Sequence, residues 1–212
     1  TGSGKTEVYL HAAERTLAAG RQALVLVPEI NLTPQLEARF AARFPGRVLV
    51  SLHSALTPAQ RLRHWLEAHL GQADIVLGTR LAVFASLPRL GLIVVDEEHD
   101  GSFKQEETVF YHARDMALAR ARLEGCAAIL ASATPSLESA VAAGSVAGGP
   151  AALPGWCHLA LPARHGGAAM PDIRLVDLRR ERPPRGGFLS PPLQAALVRN
   201  LADGAQSLLF LN

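Results

Sequence analysis

The stretch TGSGKT, residues 1–6, decides the fold because it matches the end of a phosphate-binding loop. The full pattern, G-x-x-x-x-G-K-[ST], follows a strand and opens a helix whose backbone N–H groups surround a phosphate. In that pattern the lysine reaches the terminal phosphates and the Ser/Thr hydroxyl binds Mg²⁺. The stretch therefore predicts a nucleotide site, with a Gly/Ser-rich linker as the alternative. The predicted nucleotide-binding residues are Gly2, Ser3, Gly4, Lys5 and Thr6.

The composition is that of a globular protein with a buried core. Of the 212 residues 49% are apolar, and the mean hydropathy is +0.15, which argues against disorder. No apolar run is long enough to cross a bilayer. The formal net charge is only +2, so nucleic-acid binding has to be argued from local groups. Cys126 and Cys157 are too few for a zinc site and suit a reducing cytosol.

Short apolar runs alternate with helical patterns along the first two thirds of the chain. The predicted strands are 23–28, 47–53, 74–79, 90–98 and 127–134. Continuous apolar runs of this length are typical of buried parallel strands, and their alternation with helices predicts a sheet covered on both faces. The fold class is therefore α/β, a P-loop NTPase lobe. The strand that precedes a phosphate-binding loop is expected to be missing from this stretch of sequence.

Thr-Pro pairs predict where helices begin, since threonine caps a helix and proline suits its first position. The pairs are Thr33-Pro34, Thr57-Pro58 and Thr134-Pro135. In the helix over 57–70, the spacing predicts an inward-facing stripe of Leu62, Trp65, Leu66 and Leu70.

Beyond residue 143 the chain becomes rich in Gly, Pro and Arg. Residues 144–189 are interpreted as a connector that holds one short strand at 173–178. A helix is predicted over 190–204 and a strand over 206–212.

The second motif is LIVVDEEHD, residues 92–100, in which an apolar strand ends in carboxylates. In open α/β sheets ligands bind at the carboxyl ends of the strands. Asp96 is the predicted Mg²⁺ ligand together with Thr6, and Glu97 the predicted base that activates water. A solvated loop is the alternative, and the phosphate-binding loop upstream weighs against it. The predicted catalytic residues are Lys5, Asp96, Glu97 and His99.

The order Asp96-Glu97-Glu98-His99 has the D-E-x-H form of superfamily 2 helicases, and Ser132-Ala133-Thr134 matches their third motif. This resemblance implies a hydrogen bond from His99 to the third motif. Ser132 and Thr134 are therefore the predicted coupling residues between nucleotide and DNA. A plain strand end and helix cap is the alternative for this turn.

The chain resembles the PriA family, primosomal protein N′, over residues 1 to about 139. The segments that carry the resemblance are VPEINLTPQ (27–35), LHSAL (52–56), GTRLAVFASLPRLGLIVVDEEHD (78–100), FKQEE (103–107), YHARDMA (111–117) and SATPSLES (132–139). The resemblance implies an ATP-dependent 3′-to-5′ DNA helicase that restarts stalled replication forks through primosome assembly. It implies ATP and Mg²⁺ as cofactors, with zinc only in a parent protein outside this chain.

The resemblance also implies an arrangement of lobes. Residues 1–143 correspond to a RecA-like lobe, 144–189 to a connector, and 190–212 to the start of a second lobe. The chain is then an excerpt, and the isolated fragment is expected to be inactive. The implied partners are forked or single-stranded DNA, primosome proteins and single-stranded-DNA-binding protein, with no membrane. The implied location is the bacterial cytoplasm, in association with the nucleoid.

Several polar and aromatic residues are candidates for DNA contact. The predicted DNA-binding residues are Thr33, Gln35, Thr79, Arg80, Phe103, Lys104, Phe110 and Tyr111. Aromatic rings can stack on unpaired bases, and cations can meet phosphates. The alternatives are a pure helix cap for Thr33, a solvated charge for Arg80, and aromatics that simply pack the start of the next helix.

Two other functions remain open at this point. One is a double-stranded DNA translocase of the RecG type, against which residues 103–117 weigh. The other is a scaffold that binds DNA and proteins without hydrolysis, against which the intact Lys5, Thr6, Asp96 and Glu97 weigh.

Overall fold

The computed structural model describes residues 4–162 and 172–210. The chain divides into two compact units, Thr1–Gly167 and Ala168–Asn212. The division falls inside the predicted connector, residues 144–189. No helix in the described part is long and apolar enough to span a membrane.

The first unit is built on a five-stranded parallel sheet. Its strands are β1 (Gln22–Leu26), β2 (Leu49–Leu52), β3 (Ile75–Gly78), β4 (Leu90–Asp96) and β7 (Ala127–Ala131). They lie side by side in the order β2-β3-β1-β4-β7, and every neighbouring pair is parallel. The central strand β1 is buried at all five positions, as its uninterrupted apolar run predicts. The predicted α/β fold with a parallel sheet is confirmed.

Helices cover both faces of this sheet. They are α1 (Lys5–Ala18), α2 (Pro34–Arg43), α3 (Pro58–His69), α4 (Ala113–Glu124) and α5 (Leu137–Ala142). One core contains Tyr9, Leu10 and Phe40, from α1 and α2. The core on the other face contains Ala68 of α3 and Ala117 of α4. The carboxyl ends of the strands are left as an edge on which polar side chains meet.

Two of the three predicted helix starts are confirmed and the third is wrong. Thr33 caps α2 by accepting from Leu36 N at 3.3 Å, and Thr57 forms a capping box with Gln60. Helix α5 begins two residues later than Pro135, with Ser136 as its cap. The reason is that the Thr134 hydroxyl lies 3.3 Å from His99 Nε2 instead.

The inward-facing stripe predicted for α3 is also wrong. Leu62, Trp65, Leu66 and Leu70 are all exposed. The face of α3 that meets the sheet uses Ala68, which is fully buried, and His64, whose Nδ1 lies 2.7 Å from the Ser51 carbonyl oxygen. A small residue lets the helix backbone approach closely, so the large apolar side chains lie on the outward face.

A short hairpin follows β4. After the 3₁₀-helix Gly101–Phe103, strand β5 (Lys104–Gln105) pairs antiparallel with β6 (Tyr111–His112). A second 3₁₀-helix, Arg80–Phe84, follows β3, and a third, Glu29–Asn31, follows β1.

Within residues 172–210, the described part of the second unit, there is one helix, α6 (Pro191–Ala202), which agrees with the helix predicted over 190–204. The strand predicted at 173–178 is absent, and residues 206–210 do not form a strand either. Residues 211–212 of that second prediction lie outside the described residues. A strand needs a neighbour for its backbone groups, and neither segment pairs with one in the described chain. The apolar side chains there, such as Leu208, are exposed.

Candidate nucleotide and DNA site

The phosphate-binding loop and the DEEH motif meet at the carboxyl edge of the sheet. Gly4 has φ of +87° and precedes α1, a left-handed conformation that glycine adopts without strain. Lys5 Nζ donates to Glu97 Oε1 at 2.9 Å, and both side chains are largely buried. We call this region, Gly4–Thr6 with Asp96–His99, the nucleotide edge. Gly2 and Ser3 lie outside the described residues.

Asp96 is held by two hydrogen bonds. The Tyr9 hydroxyl donates to Oδ2 and the Glu97 backbone N–H donates to Oδ1, each at 3.1 Å. Burial raises the pKa of Asp96 and the Glu97 charge raises it further, whereas the Tyr9 hydrogen bond lowers it. The sequence reasoning missed Tyr9. Its position four residues after Lys5 is the available signal, because that spacing places both side chains on one face of α1.

Glu97 has a strained backbone. Its φ of +49° is uncommon for a residue with a side chain. Hydrogen bonds on either side hold this conformation: Glu98 N donates to the Ala131 carbonyl at 3.1 Å, and Asp100 N to the Glu97 carbonyl at 2.8 Å. Strain of this kind persists only where the surroundings determine it, and such positions cluster at functional sites.

His99 joins the DEEH motif to the third motif. Its Nδ1 is hydrogen-bonded to Ser132 Oγ at 2.7 Å, and its Nε2 to Thr134 Oγ1 at 3.3 Å. The Glu97 carboxylate lies 3.6 Å from His99 Nδ1. The imidazole thus contacts both the predicted base and the predicted coupling residues.

Glu98 forms a buried cluster that the sequence reasoning did not find. Its side chain is 1% exposed and accepts from Ser136 N at 2.6 Å, Ser139 Oγ at 3.0 Å and Arg114 Nη1 at 3.3 Å. The cluster links the end of β4 to the starts of α4 and α5. The signal is a second glutamate in the motif together with an arginine in YHARD, but only the fold places them together.

The residues at the nucleotide edge fit a magnesium nucleotide. The described chain holds no group of three or more His, Cys, Asp or Glu side chains placed to bind a metal ion. Mg²⁺ does not require one, because it keeps several waters and binds through one or two protein ligands plus substrate phosphates. Asp96, oriented by Tyr9, and Thr6, at the start of α1, are suited to this role.

The predicted DNA contacts on the loops after β1 and β3 differ in accessibility. Thr33 is half-buried and bonded as a cap, whereas Gln35 is exposed. Thr79 is buried. Arg80 Nη1 donates to the carbonyl oxygens of Ser102 at 3.2 Å and Lys104 at 2.7 Å. Among these four residues, only Gln35 and the remaining donors of Arg80 are therefore free to meet a ligand.

Residues 101–112, which we call the hairpin segment, contain the remaining predicted DNA contacts. Phe103 is completely buried in the core, so the stacking role predicted for its ring is excluded. Phe110 is 77% exposed at the tip. Lys104 is exposed and pairs with Glu106 at 2.6 Å. Tyr111 is half-buried against Phe84, and its hydroxyl has no partner among the described residues.

Comparison with known proteins identifies what this site resembles. Residues 1–142 match the family model of the DEAD/DEAH box helicases. The whole chain is 43% identical to Replication restart protein PriA of Bacillus subtilis, 47% to that of Synechocystis and 45% to that of Haemophilus influenzae. It covers 25%, 25% and 28% of those proteins, about a quarter of their length. These relatives confirm the resemblance to the PriA family.

Proposed function

The chain belongs to the DEAD/DEAH box helicase family, and from that premise we propose that it is the nucleotide-binding lobe of an ATP-dependent DNA helicase that acts in replication restart. The observation that carries the proposal is the meeting of Lys5, Asp96 and Glu97 on one edge of the sheet. The names of the relatives support the replication-restart role.

Lys5 and Glu97 would exchange partners when a nucleotide binds. Their charges neutralise each other across 2.9 Å. A γ-phosphate is a stronger partner for the lysine, so Lys5 would turn to it and leave the Glu97 carboxylate free. Glu97 would then accept a hydrogen bond from the attacking water and take its proton.

Thr6 and Asp96 would hold Mg²⁺, which neutralises charge on the β- and γ-phosphates. Tyr9 keeps the Asp96 carboxylate in position and favours its charged form. His99 would report the state of Glu97 to Ser132 and Thr134, which it already contacts.

DNA contact is assigned to exposed groups near the hairpin segment. Phe110 and Lys104 are accessible there, and Arg80 holds the backbone at residues 102 and 104. The 3′-to-5′ direction, the binding of forked DNA, the primosome and single-stranded-DNA-binding protein as partners, and a nucleoid location all rest on resemblance to the PriA family.

The test is ATP hydrolysis by the protein that carries this chain, with and without single-stranded DNA. Lys5→Ala should abolish hydrolysis because phosphate binding is lost. Glu97→Gln should retain ATP binding and lose turnover by at least ~10²-fold, as expected when a general base is removed. Near-normal turnover in Glu97→Gln would exclude Glu97 as the base.

A further inference from the structure

A cavity of about 320 Å³ lies next to the carboxyl ends of β2 and β3, apart from the nucleotide edge. It is bounded by α3, by the 3₁₀-helix Arg80–Phe84 and by Ser102. Trp65, Leu81 and Phe84 form its apolar wall, and all three are exposed. The volume lies within the range of small-ligand sites, roughly 300–1,000 Å³.

Both aromatic rings of this wall are held by a neighbouring ring. Trp65 stacks on His69 with ring centroids 4.9 Å apart and planes 10° apart. Phe84 meets the edge of Tyr111 at 5.1 Å. Rings that are already oriented lose little side-chain entropy when a ligand arrives. The wall is therefore prepared for a flat aromatic ligand.

Two arginines line the same cavity and lack an acidic partner. Arg61 Nη2 donates only to backbone carbonyls, those of Ser54 at 3.2 Å and Leu56 at 3.4 Å. Among the described residues Arg80 also donates only to carbonyls, and its buried Nε has no partner there. Neither guanidinium lies within 4.0 Å of a carboxylate in the described chain. The one acidic lining residue, Glu29, is hydrogen-bonded to Ser54.

An apolar aromatic slot beside two uncompensated arginines suits a ligand with a planar ring and an adjacent anion. We propose that this cavity is a subsite for one unpaired nucleobase of single-stranded DNA, with the base against Trp65 and Phe84 and the flanking phosphates on Arg61 and Arg80. The inference rests on the proposed DNA helicase function and deepens it. In a duplex the base is stacked in its own helix, so the subsite selects unpaired DNA.

The subsite also lies on a route to the catalytic carboxylates. Ser102 lines the cavity, and its carbonyl accepts from Arg80. Two residues earlier, Asp100 N donates to the Glu97 carbonyl oxygen. A phosphate held by Arg80 would therefore act, through the Arg80–Ser102 hydrogen bond, on the backbone that leads back to the strained Glu97.

The test compares two oligonucleotides of about twenty nucleotides, one of thymidines and one in which several bases are replaced by abasic spacers. Binding to the protein that carries this chain is measured by fluorescence anisotropy. Because stacking of one base is worth about 5-fold to 150-fold in affinity, the wild type should prefer the thymidine strand by that factor. Trp65→Ala should lose most of this preference.

The matched control is Leu62→Ala, which removes another exposed apolar side chain from the same helix outside this cavity. It should keep the wild-type preference. Leu81→Glu is the second variant. Because Leu81 is 66% exposed, a polar residue is tolerated at this position. The carboxylate that it introduces into the cavity should repel DNA and weaken binding. Arg61→Gln should lower the salt dependence of binding by about 0.7 in log–log slope, the value for one phosphate on a single strand.

An unchanged preference for bases in both Trp65→Ala and Leu81→Glu overturns the subsite. A lower melting temperature in Trp65→Ala with unaltered DNA binding overturns the subsite too, because the Trp65 ring would then serve the packing of the protein and not the binding of a base. Absence of single-stranded DNA binding in the wild type removes the subsite as well. Failure of the proposed function has a separate signature, namely hydrolysis that is insensitive to Lys5→Ala.

Discussion

The nucleotide edge and the cavity beside the hairpin segment differ in how their polar groups are satisfied. At the nucleotide edge Lys5 pairs with Glu97, Asp96 with Tyr9, and His99 with Ser132. At the cavity Arg80 Nε is buried without a partner in the described chain, and Trp65 and Phe84 stand exposed. The hydroxyl of Tyr111, whose ring packs behind Phe84, is likewise buried without a partner among the described residues.

This difference indicates two kinds of site. A site for phosphoryl chemistry gains from charges that are fixed before the reaction, because reorganising them would add to the barrier. A site for a strand of variable sequence gains from flat surfaces and spare donors that the ligand completes. The buried ion pair of Glu98 and Arg114 joins the nucleotide edge to α4, the helix that follows the hairpin segment.

The largest effect on stability is expected from breaking that cluster. Arg114→Met leaves the Glu98 carboxylate buried without its cation, which should lower the free energy of unfolding by roughly 3–5 kcal/mol. Urea denaturation measures it. Adding Glu98→Gln removes the stranded charge while keeping an oxygen for Ser136 N, so the double variant should recover part of the loss.

The control for that prediction is Arg63→Met, which removes the cation of a pair with Glu67 at 3.9 Å on the surface of α3. It should cost less than about 1 kcal/mol, as exposed pairs do. Equal costs for Arg114→Met and Arg63→Met would mean that the buried cluster contributes no more to stability than an exposed ion pair does.

The second largest effect is expected at the nucleotide edge, on the Mg²⁺ dependence of hydrolysis. Tyr9→Phe removes the hydroxyl that orients Asp96 but keeps the ring in the core. Loss of a residue that orients a metal ligand costs about 10-fold to 100-fold in metal affinity or activity. We expect the Mg²⁺ concentration for half-maximal hydrolysis to rise within that range. A turnover that falls with no change in Mg²⁺ dependence would contradict this role.

Tyr111→Phe, beside the cavity, is expected to raise stability, whereas Tyr9→Phe at the nucleotide edge is expected to impair Mg²⁺ binding. The Tyr111 hydroxyl is buried with no partner in the part of the chain that the structure describes, so its removal relieves a desolvation cost. We expect the free energy of unfolding to rise by about 1 kcal/mol, with Mg²⁺ dependence unchanged, as measured by urea denaturation and hydrolysis assays. The two Tyr→Phe variants differ by one oxygen atom each, so opposite outcomes would sharpen the comparison. A loss of stability in Tyr111→Phe would show that its hydroxyl has a partner in solution.

The sequence was sufficient where a motif fixes both chemistry and position. GKT and DEEH predicted the meeting of Lys5, Asp96 and Glu97, because a parallel sheet brings the ends of its strands to one edge. The contact of His99 with the third motif was instead implied by the resemblance to superfamily 2 helicases, and the structure has His99 Nδ1 2.7 Å from Ser132 Oγ.

The sequence was insufficient where packing decides between two faces. The stripe of Leu62, Leu66 and Leu70 has helical spacing, but the sheet accepts only a small residue, Ala68, at the contact. Phe103 was indistinguishable by type from Phe110, yet one is in the core and the other at the tip of the hairpin. Packing also requires glycine at position 78, since a Cβ there would lie 2.2 Å from Ala82 Cβ.

The smallest expected effect is on the pH dependence of stability, and it comes from His112, where the hairpin segment joins α4. Burial lowers the pKa of His112, and the nearby Arg114 charge lowers it further. Its neutral Nδ1 caps α4 by accepting from Arg114 N at 3.3 Å. Because the folded protein binds this proton more weakly than the unfolded chain, the contribution of His112 is complete above pH ~6.5 and is lost as the pH falls through its folded-state pKa.

His112→Asn supplies a cap that does not titrate. Between pH 7.5 and pH 5, the variant should therefore lose less stability than the wild type, by about 1 kcal/mol, the typical value of one helix cap. Thermal unfolding across that range measures the difference. His158→Asn changes an exposed histidine away from this contact and should reproduce the wild-type profile. If His112→Asn follows the wild-type profile too, protonation of the imidazole does not weaken the start of α4, and the cap that His112 provides there contributes nothing to the pH dependence of stability.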